Sequence, residues 1–179
     1  MNKTLIIYHS KYGTTKKVAV SISEKLKGDS SIALFSLKEN ENPDIQDFDI
    51  VILGTSIYMG LASKKMRTFC KTNESALLEK KIGLFACGMH PDKEQQEKEL
   101  KDAYPKMLQD NAIAVGFFGG AFLFEQMNFL ERAIIKKIAK TSTSVQQIDF
   151  EAIDQFVAKC QSIGLSDKFK NKSSRKEIF

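Results

Sequence analysis

Ser10, Thr14 and Thr15 place three hydroxyl groups around Gly13 in the stretch YHSKYGTTKKVA, residues 8–19. Hydroxyls in that pattern can donate to one shared anion, and a glycine lets the backbone turn so that successive N–H groups converge on it. The stretch joins an apolar run to a segment of helical character, where a helix N-terminus adds unpaired N–H groups and a partial positive charge. A phosphate suits those donors. The stretch is neither G-x-x-x-x-G-K-[ST] nor G-x-G-x-x-G, so it points to a monophosphate rather than a nucleoside triphosphate or a dinucleotide. Lys16 and Lys17 fall in the first helical turn, a placement the helix dipole disfavours by up to about 1 kcal/mol and a bound anion would relieve. Taken alone, the segment reads equally well as an ordinary strand-to-helix turn, in which Ser, Thr and Gly are common.

Two further segments of small residues, GTSIYMG at 54–60 and CGMHP at 87–91, follow later apolar runs and are expected to be loops opening on the same edge. His90 would stand at the mouth of the crevice they share. A histidine there can donate a hydrogen bond to a ligand or move a proton, which makes it the candidate catalytic residue; the alternative is an exposed loop histidine. His9, at the end of an apolar run, reads as structural. Cys70, Cys87 and Cys160 show no CxxC or Cys/His ligand spacing, so no metal site and no disulfide framework is expected. Cys87 is a redox-sensing thiol or, the preferred reading, a small packed residue beside the ligand.

The elements that must hold these groups follow from the apolar pattern. Runs at 5–8, 32–37, 49–54, 81–88 and 114–122 are continuous rather than alternating, as strands covered on both faces are. Helical spacing separates them. Val18, Ile22 and Leu26 recur every four residues before Gly28, residues 61–79 form a second helical region, and 92–110 a third that Pro105 should kink or divide. Asp149 reads as the N-cap of a helix whose stripe is Phe150, Ile153, Phe156, Val157 and Cys160, with Gly164 as its stop. The alternation implies an α/β doubly wound domain with five parallel strands. The segment 123–141 is expected as an extra helix between the last strand and the last helix, with an apolar stripe at Leu123, Met127, Leu130, Ile134 and Ile138.

A chain of 179 residues with 42% apolar and 27% charged residues suits one folded domain, here 1–165 with a helical insertion at 123–147. No apolar run nears the roughly 20 residues of a membrane span, and MNKTLIIYHS turns polar too early for a signal peptide, so a cytoplasmic address is expected. The net charge of +5 is concentrated in the tail 166–179, which holds five basic residues against two acidic ones. Such a tail is most simply a solvated end, and nucleic acid is not an expected partner, because Phe169 and Phe179 alone do not make a stacking platform.

Ser10, Lys11, Tyr12, Gly13, Thr14 and Thr15 match the hydroxyl-x-Thr-Gly-x-hydroxyl loop by which the flavodoxin-like family holds the phosphate of FMN, with Tyr12 at the usual middle Thr. The chain resembles that family over about residues 1–165. SKYGTT, GTSIYMG and FGG followed by a long helix are most similar to the flavodoxin-domain branch that includes the menaquinone-dependent protoporphyrinogen dehydrogenases. The resemblance implies a sheet of order 2-1-3-4-5 with FMN at its switch point. It implies that residues 10–15 hold the phosphate, while Thr55, Ser56, Ile57, Tyr58, Met59 and Gly60, with Cys87, Gly88, Met89 and His90, frame the isoalloxazine. It also implies that Tyr58 stacks on the flavin and that Gly60 lets a backbone carbonyl turn toward N5.

Two classes of function follow from the resemblance. In one the chain is an electron carrier that docks a redox partner protein; in the other it is an FMN-dependent oxidoreductase of the protoporphyrinogen dehydrogenase type, handing electrons to a quinone. Carrier flavodoxins are usually acidic around the flavin, whereas this chain is basic, which favours the enzyme. A porphyrinogen's anionic propionates would want cations such as Lys64, Lys65, Arg67 and Arg132. The extra helix is read as a wall of the substrate pocket, as peripheral membrane contact on the way to a quinone, or as packing on the domain or in a homodimer.

Overall fold

The computed structural model describes residues 2–28, 30–40, 42–139 and 143–173. Strand β1 (Asn2–His9) leads into helix α1 (Thr14–Leu26), followed by β2 (Ser30–Ser36), β3 (Ile50–Tyr58) and the short β4 (Leu61–Ala62). Helices α2 (Lys64–Thr72) and α3 (Glu74–Leu78) precede β5 (Lys81–Cys87), and α4 (Lys93–Ala103) and α5 (Lys106–Asp110) precede β6 (Ala112–Phe117). Then come β7 (Gly119–Phe122), a 3₁₀ turn (Phe124–Gln126), α6 (Phe129–Ala139), β8 (Val145–Ile148) and α7 (Phe150–Ser173). The main sheet runs β2-β1-β3-β5-β6 with every neighbouring pair parallel. This is the doubly wound order expected from the sequence, with the short β4 added as a hairpin on β3.

The continuous apolar runs explain the layering. Residues of β1, β3 and β5 alternate between two faces, so Leu5, Ile7, Val51, Leu53 and Leu84 join Met66, Phe69 and Leu108 on one side. Ile6, Ile52 and Phe85 join Val18, Ile22, Ile153 and Phe156 on the other. Aromatic contacts finish that second face, with Phe85 stacked on Phe118 at 5.5 Å and Phe156 edge-on to both. Inside the first, the Tyr104 hydroxyl donates within reach of the Leu53 and Phe85 carbonyls, at 2.9 and 2.6 Å. Among the described residues no helix is long and apolar enough to cross a membrane.

Several boundaries differ from those read in the sequence. The 54–60 segment is not a free loop: β3 continues to Tyr58 and pairs with β4 across a two-residue turn, with Ile57 opposite Ala62. Met59 (φ 51°) and Gly60 (φ 74°) both take the left-handed conformation such a tight hairpin needs. The helical region 61–79 is accordingly shorter and is broken at Asn73, while 92–110 divides before Pro105, which cannot continue α4. Asp149 caps α7 as expected, accepting the Ala152 N–H at 2.9 Å, but Phe150 at its first position is 55% exposed. Gly164 does not stop that helix, which runs to Ser173. The run 114–122 is split, because Gly119 (φ 69°) turns the chain out of the main sheet into the antiparallel β7–β8 ribbon.

The expected helix over 123–141 begins only at Phe129. Asn128 and Glu131 form a reciprocal capping box: the Glu131 N–H donates to Asn128 Oδ1 at 2.9 Å, and the Asn128 N–H to Glu131 Oε2 at 3.0 Å. The inward face also differs from the expected stripe. Met127 and Ile135 are buried with Phe124 against Tyr12, while Leu130 is 70% exposed. Glu131 reaches Lys11 at 2.7 Å, and this turns the face bearing residues 131 and 135 inward. The Ile138 side chain, residues 140–142 and the tail end 174–179 lie outside the described residues.

Candidate functional site

A cavity of about 570 Å³ opens at the carboxyl ends of β1, β3 and β5, where the chain order of the sheet reverses. Its floor comes from the turn after β1, with Ser10, Lys11, Tyr12, Thr14 and Thr15. One side is the β3–β4 hairpin, Ser56 through Gly60, and another is the end of β5 and its loop, Cys87 through Pro91. The segment after β6 closes it with Gly120, Ala121, Met127, Ile135, Val145 and Gln147. Thus the three segments picked out in the sequence do converge. Gly13 and Thr55 are not among the lining residues. Gly13 shapes the turn with φ 93° and gives its N–H to Ser10 Oγ at 2.9 Å. Thr55 is fully buried within β3, its hydroxyl accepting the Ser63 N–H at 3.2 Å.

The turn after β1 has the features an anion needs. Helix α1 carries neither a side-chain cap nor an acidic residue in its first turn, so its leading N–H groups have no built-in acceptor. Thr15 is 1% exposed, and its Oγ1 has no nitrogen or oxygen partner; the Cys87 thiol, a weak donor, lies beside it. A buried hydroxyl without a partner is costly, and an anion seated on the helix terminus would satisfy it. These donors fit a phosphate monoester.

Tyr12, at the position where the loop departs from the family pattern, points elsewhere. Its ring packs on Phe124, Met127 and Ile135, joining the first loop to the inserted segment. Burial first, then the neighbouring Glu131, pushes its phenol up to about 12. Lys11 completes the join: its ammonium bonds Glu131, sits 3.3 Å from the ring centre of Tyr58, and lies 5.0 Å from that of Tyr12. Burial alone would depress Lys11, but the bond to Glu131 together with Tyr12 and Tyr58 outweighs it and holds the ammonium above its ordinary range. The same bond holds the Glu131 carboxyl down at about 2. This cluster was missed in the sequence, where N-F-L-E at 128–131 was its one local signal.

His90 stands exposed at the rim; its Nδ1 accepts the Asp92 N–H at 3.2 Å, which leaves Nε2 to carry the ring proton. His9 is half-buried with an unpartnered Nδ1, and burial, then Lys38 and Lys65, lowers its pKa. Burial pushes the thiols of Cys70, Cys87 and Cys160 up to about 12, far from reactive thiolates. Among the described residues no cluster suits a metal. Lys64, Lys65, Arg67 and Arg132 do not line the cavity; Arg132 instead donates to the Met127 carbonyl at 2.9 Å, and Lys11 is the cation that does line it. Glu99, which no sequence pattern marked, forms part of the wall and is 5% exposed.

Comparison with known proteins agrees with this geometry. The family model described as "Flavodoxin domain" matches residues 5–149. Protoporphyrinogen IX dehydrogenase [quinone] of Leishmania major is 24% identical over 177 residues, covering 92% of this chain and 77% of that protein. The protein of the same name from Escherichia coli K12 is 22% identical over 145 residues, covering 78% and 80%. Among solved structures, the flavodoxin of Streptococcus pneumoniae TIGR4 superposes with a TM-score of 0.57 at 17% identity, covering 89% of this chain and 98% of that one.

Proposed function

The chain belongs to the flavodoxin-domain family, whose cofactor is FMN, and from that membership we propose that it is an FMN-dependent dehydrogenase of the protoporphyrinogen type, passing electrons to a quinone. The observation that carries the cofactor assignment is the unpartnered Thr15 hydroxyl at the uncapped N-terminus of α1, in the wall of a 570 Å³ cavity. Ser10, Thr14, Thr15 and the first amides of α1 would hold the phosphate. The β3–β4 hairpin from Ser56 to Gly60 and the segment Cys87–His90 would frame the ring, with Tyr58 as the aromatic wall. Bound there, FMN supplies hydride and electron chemistry, and the protein positions and tunes it.

Support for an enzyme rather than a carrier comes from three directions. The inserted segment walls the cavity with Met127, Ile135, Val145 and Gln147, which suits a pocket for a small-molecule substrate better than a protein-docking surface. The chain is basic, with net charge +5, which suits an anionic donor better than the basic partners of acidic carriers. Both named relatives are dehydrogenases with a quinone in their names. Lys11 is the cation placed to meet an anionic substituent, and His90 at the rim is the candidate for moving a proton.

The test is absorbance of the purified protein, FMN titration, then anaerobic mixing with protoporphyrinogen followed by a quinone. Flavin bleaching by the porphyrinogen and its return with quinone is the expected result. Bound FMN that stays oxidised, with two well-separated one-electron waves in stepwise reduction, would establish the carrier instead.

A further inference from the structure

Among the described residues, Glu99 is the one acidic side chain of the cavity wall that neither the phosphate turn nor the Lys11–Glu131 pair uses. It sits on α4, whose other acidic groups, Glu94, Glu97 and Asp102, are exposed, yet it is 5% exposed and faces the cavity. Its carboxyl has no hydrogen bond or ion pair among the described residues. Its Oε1 lies 3.9 Å from the point where a Cβ on Gly60 would stand, so the bare backbone of the Met59–Gly60 turn leaves the carboxyl open on that side. The residue is buried as a whole, yet its carboxyl oxygens are not among the fully buried unpartnered atoms, so the unpaired carboxylate keeps contact with the open cavity, where a bound molecule can reach it.

We infer that Glu99 is the proton-accepting residue of this site, taking the N–H proton of a bound porphyrinogen-type donor while hydride leaves the donor's adjacent saturated carbon. The inference rests on the proposed dehydrogenase reading. The donor carries a saturated bridge carbon attached to a pyrrole ring. Its C–H bond breaks with both electrons, which leave as hydride to FMN, and its N–H bond breaks with the proton going to the Glu99 carboxylate. The remaining electron pairs shift to give an exocyclic C=C and a ring C=N. The donor loses two electrons, FMN gains two, and Glu99 becomes a neutral acid. When a quinone is reduced it receives a hydride from the cofactor and one proton from Glu99, which restores the carboxylate and completes the hydroquinone.

The groups around Glu99 support this role. Of the elements packed on α4, β4 and β6 bring no titratable side chain, and β3 brings Tyr58. From β5 and its loop come Cys87 and His90, with Lys81 at the opposite end of the strand. Burial raises the Glu99 pKa above the ordinary carboxyl range, while His90 pulls it back down. A carboxylate whose pKa burial raises, while the nearby His90 limits the rise, suits proton abstraction.

Glu99→Gln and Glu99→Asp variants, loaded with FMN, test this in two ways. In anaerobic single turnover with protoporphyrinogen across about pH 5 to 9, the wild-type rate rises with pH to a plateau, whereas E99Q is slower by about 10²-fold or more and loses the rise. E99D restores part of both. The second readout needs no substrate: the plot of flavin midpoint potential against pH bends in the wild type where Glu99 titrates, because a reduced flavin and this proton bind cooperatively, and E99Q removes the bend. An E99Q rate and pH profile within about threefold of wild type, or superimposable potential curves, overturns the Glu99 assignment while leaving the dehydrogenase reading intact. A wild-type protein that holds FMN but is not reduced by the porphyrinogen overturns both.

Discussion

Thr15 and Glu131 hold opposite positions in the energetics of the site. The Thr15 hydroxyl is buried without a partner, so it weakens the cofactor-free protein and strengthens a complex that supplies an acceptor. Thr15→Val should therefore raise apoprotein stability by about 1 kcal/mol while weakening FMN binding about tenfold, a pairing of opposite signs readable by thermal melting and fluorescence titration. Glu131 works the other way. Its carboxyl is held from an ordinary 4.5 down to about 2 by Lys11, so the stability it contributes is present above about pH 4.5 and is lost as pH falls through about 2. Glu131→Gln should cost about 1 kcal/mol at neutral pH and flatten the acid limb of the stability curve. Glu99 has the opposite sign from Glu131: with a raised pKa, its favourable contribution holds below the ordinary carboxyl value and is lost as pH climbs through the raised one. E99Q should accordingly melt higher than wild type at neutral pH, with the gap closing in acid.

At the scale of elements, the inserted segment is held by two devices. The Asn128–Glu131 capping box starts α6, and the β7–β8 ribbon anchors its two ends, with the Gly88 N–H donating to the Gly119 carbonyl at 3.0 Å. Gly119 takes φ 69°, and a Cβ there would overlap the Gln147 carbonyl across the ribbon. Gly119→Ala should therefore detach the ribbon at a cost of about 1 to 3 kcal/mol from the backbone conformation alone, and limited proteolysis should then cut within 119–147 before the main sheet. Cleavage as slow as in wild type would contradict this account of the ribbon. Tyr12 shows how closely the insertion and the first loop depend on each other, since its ring is the side chain by which that loop enters the small core of Phe124, Met127 and Ile135.

For the molecule as a whole, charge is the property that distinguishes the two functional classes. A chain of net charge +5 attracts an anionic donor, so the bimolecular rate of flavin reduction by protoporphyrinogen should fall several-fold as salt rises from about 0.01 to 0.15 M, where the Debye length shrinks from about 30 to 8 Å. A rate that rises with salt would contradict attraction and favour docking to a basic partner.

The order of the sheet was legible in the sequence because it is local: each strand is a continuous apolar run, each helix a periodic one, and right-handed crossovers leave few ways to assemble them. The convergence of residues 10–15, 56–60 and 87–90 follows from that order, since all three leave the same edge. The path of 119–147 was not legible. Its apolar residues suit more than one helix face, and what selects Met127 and Ile135 over Leu130 and Ile134 is a bond between Lys11 and Glu131, 120 residues apart. Glu99 was hidden for the same reason: in a helix rich in Glu and Lys, only the packing of α4 against β4 separates the one carboxyl that faces the cavity from those that face water. The sequence by itself thus determined the fold and the place of the anion site, because periodicity and turn chemistry act over a few residues. The closed wall and the buried acid were decided by tertiary structure, because contacts between distant segments set which face of each helix turns inward.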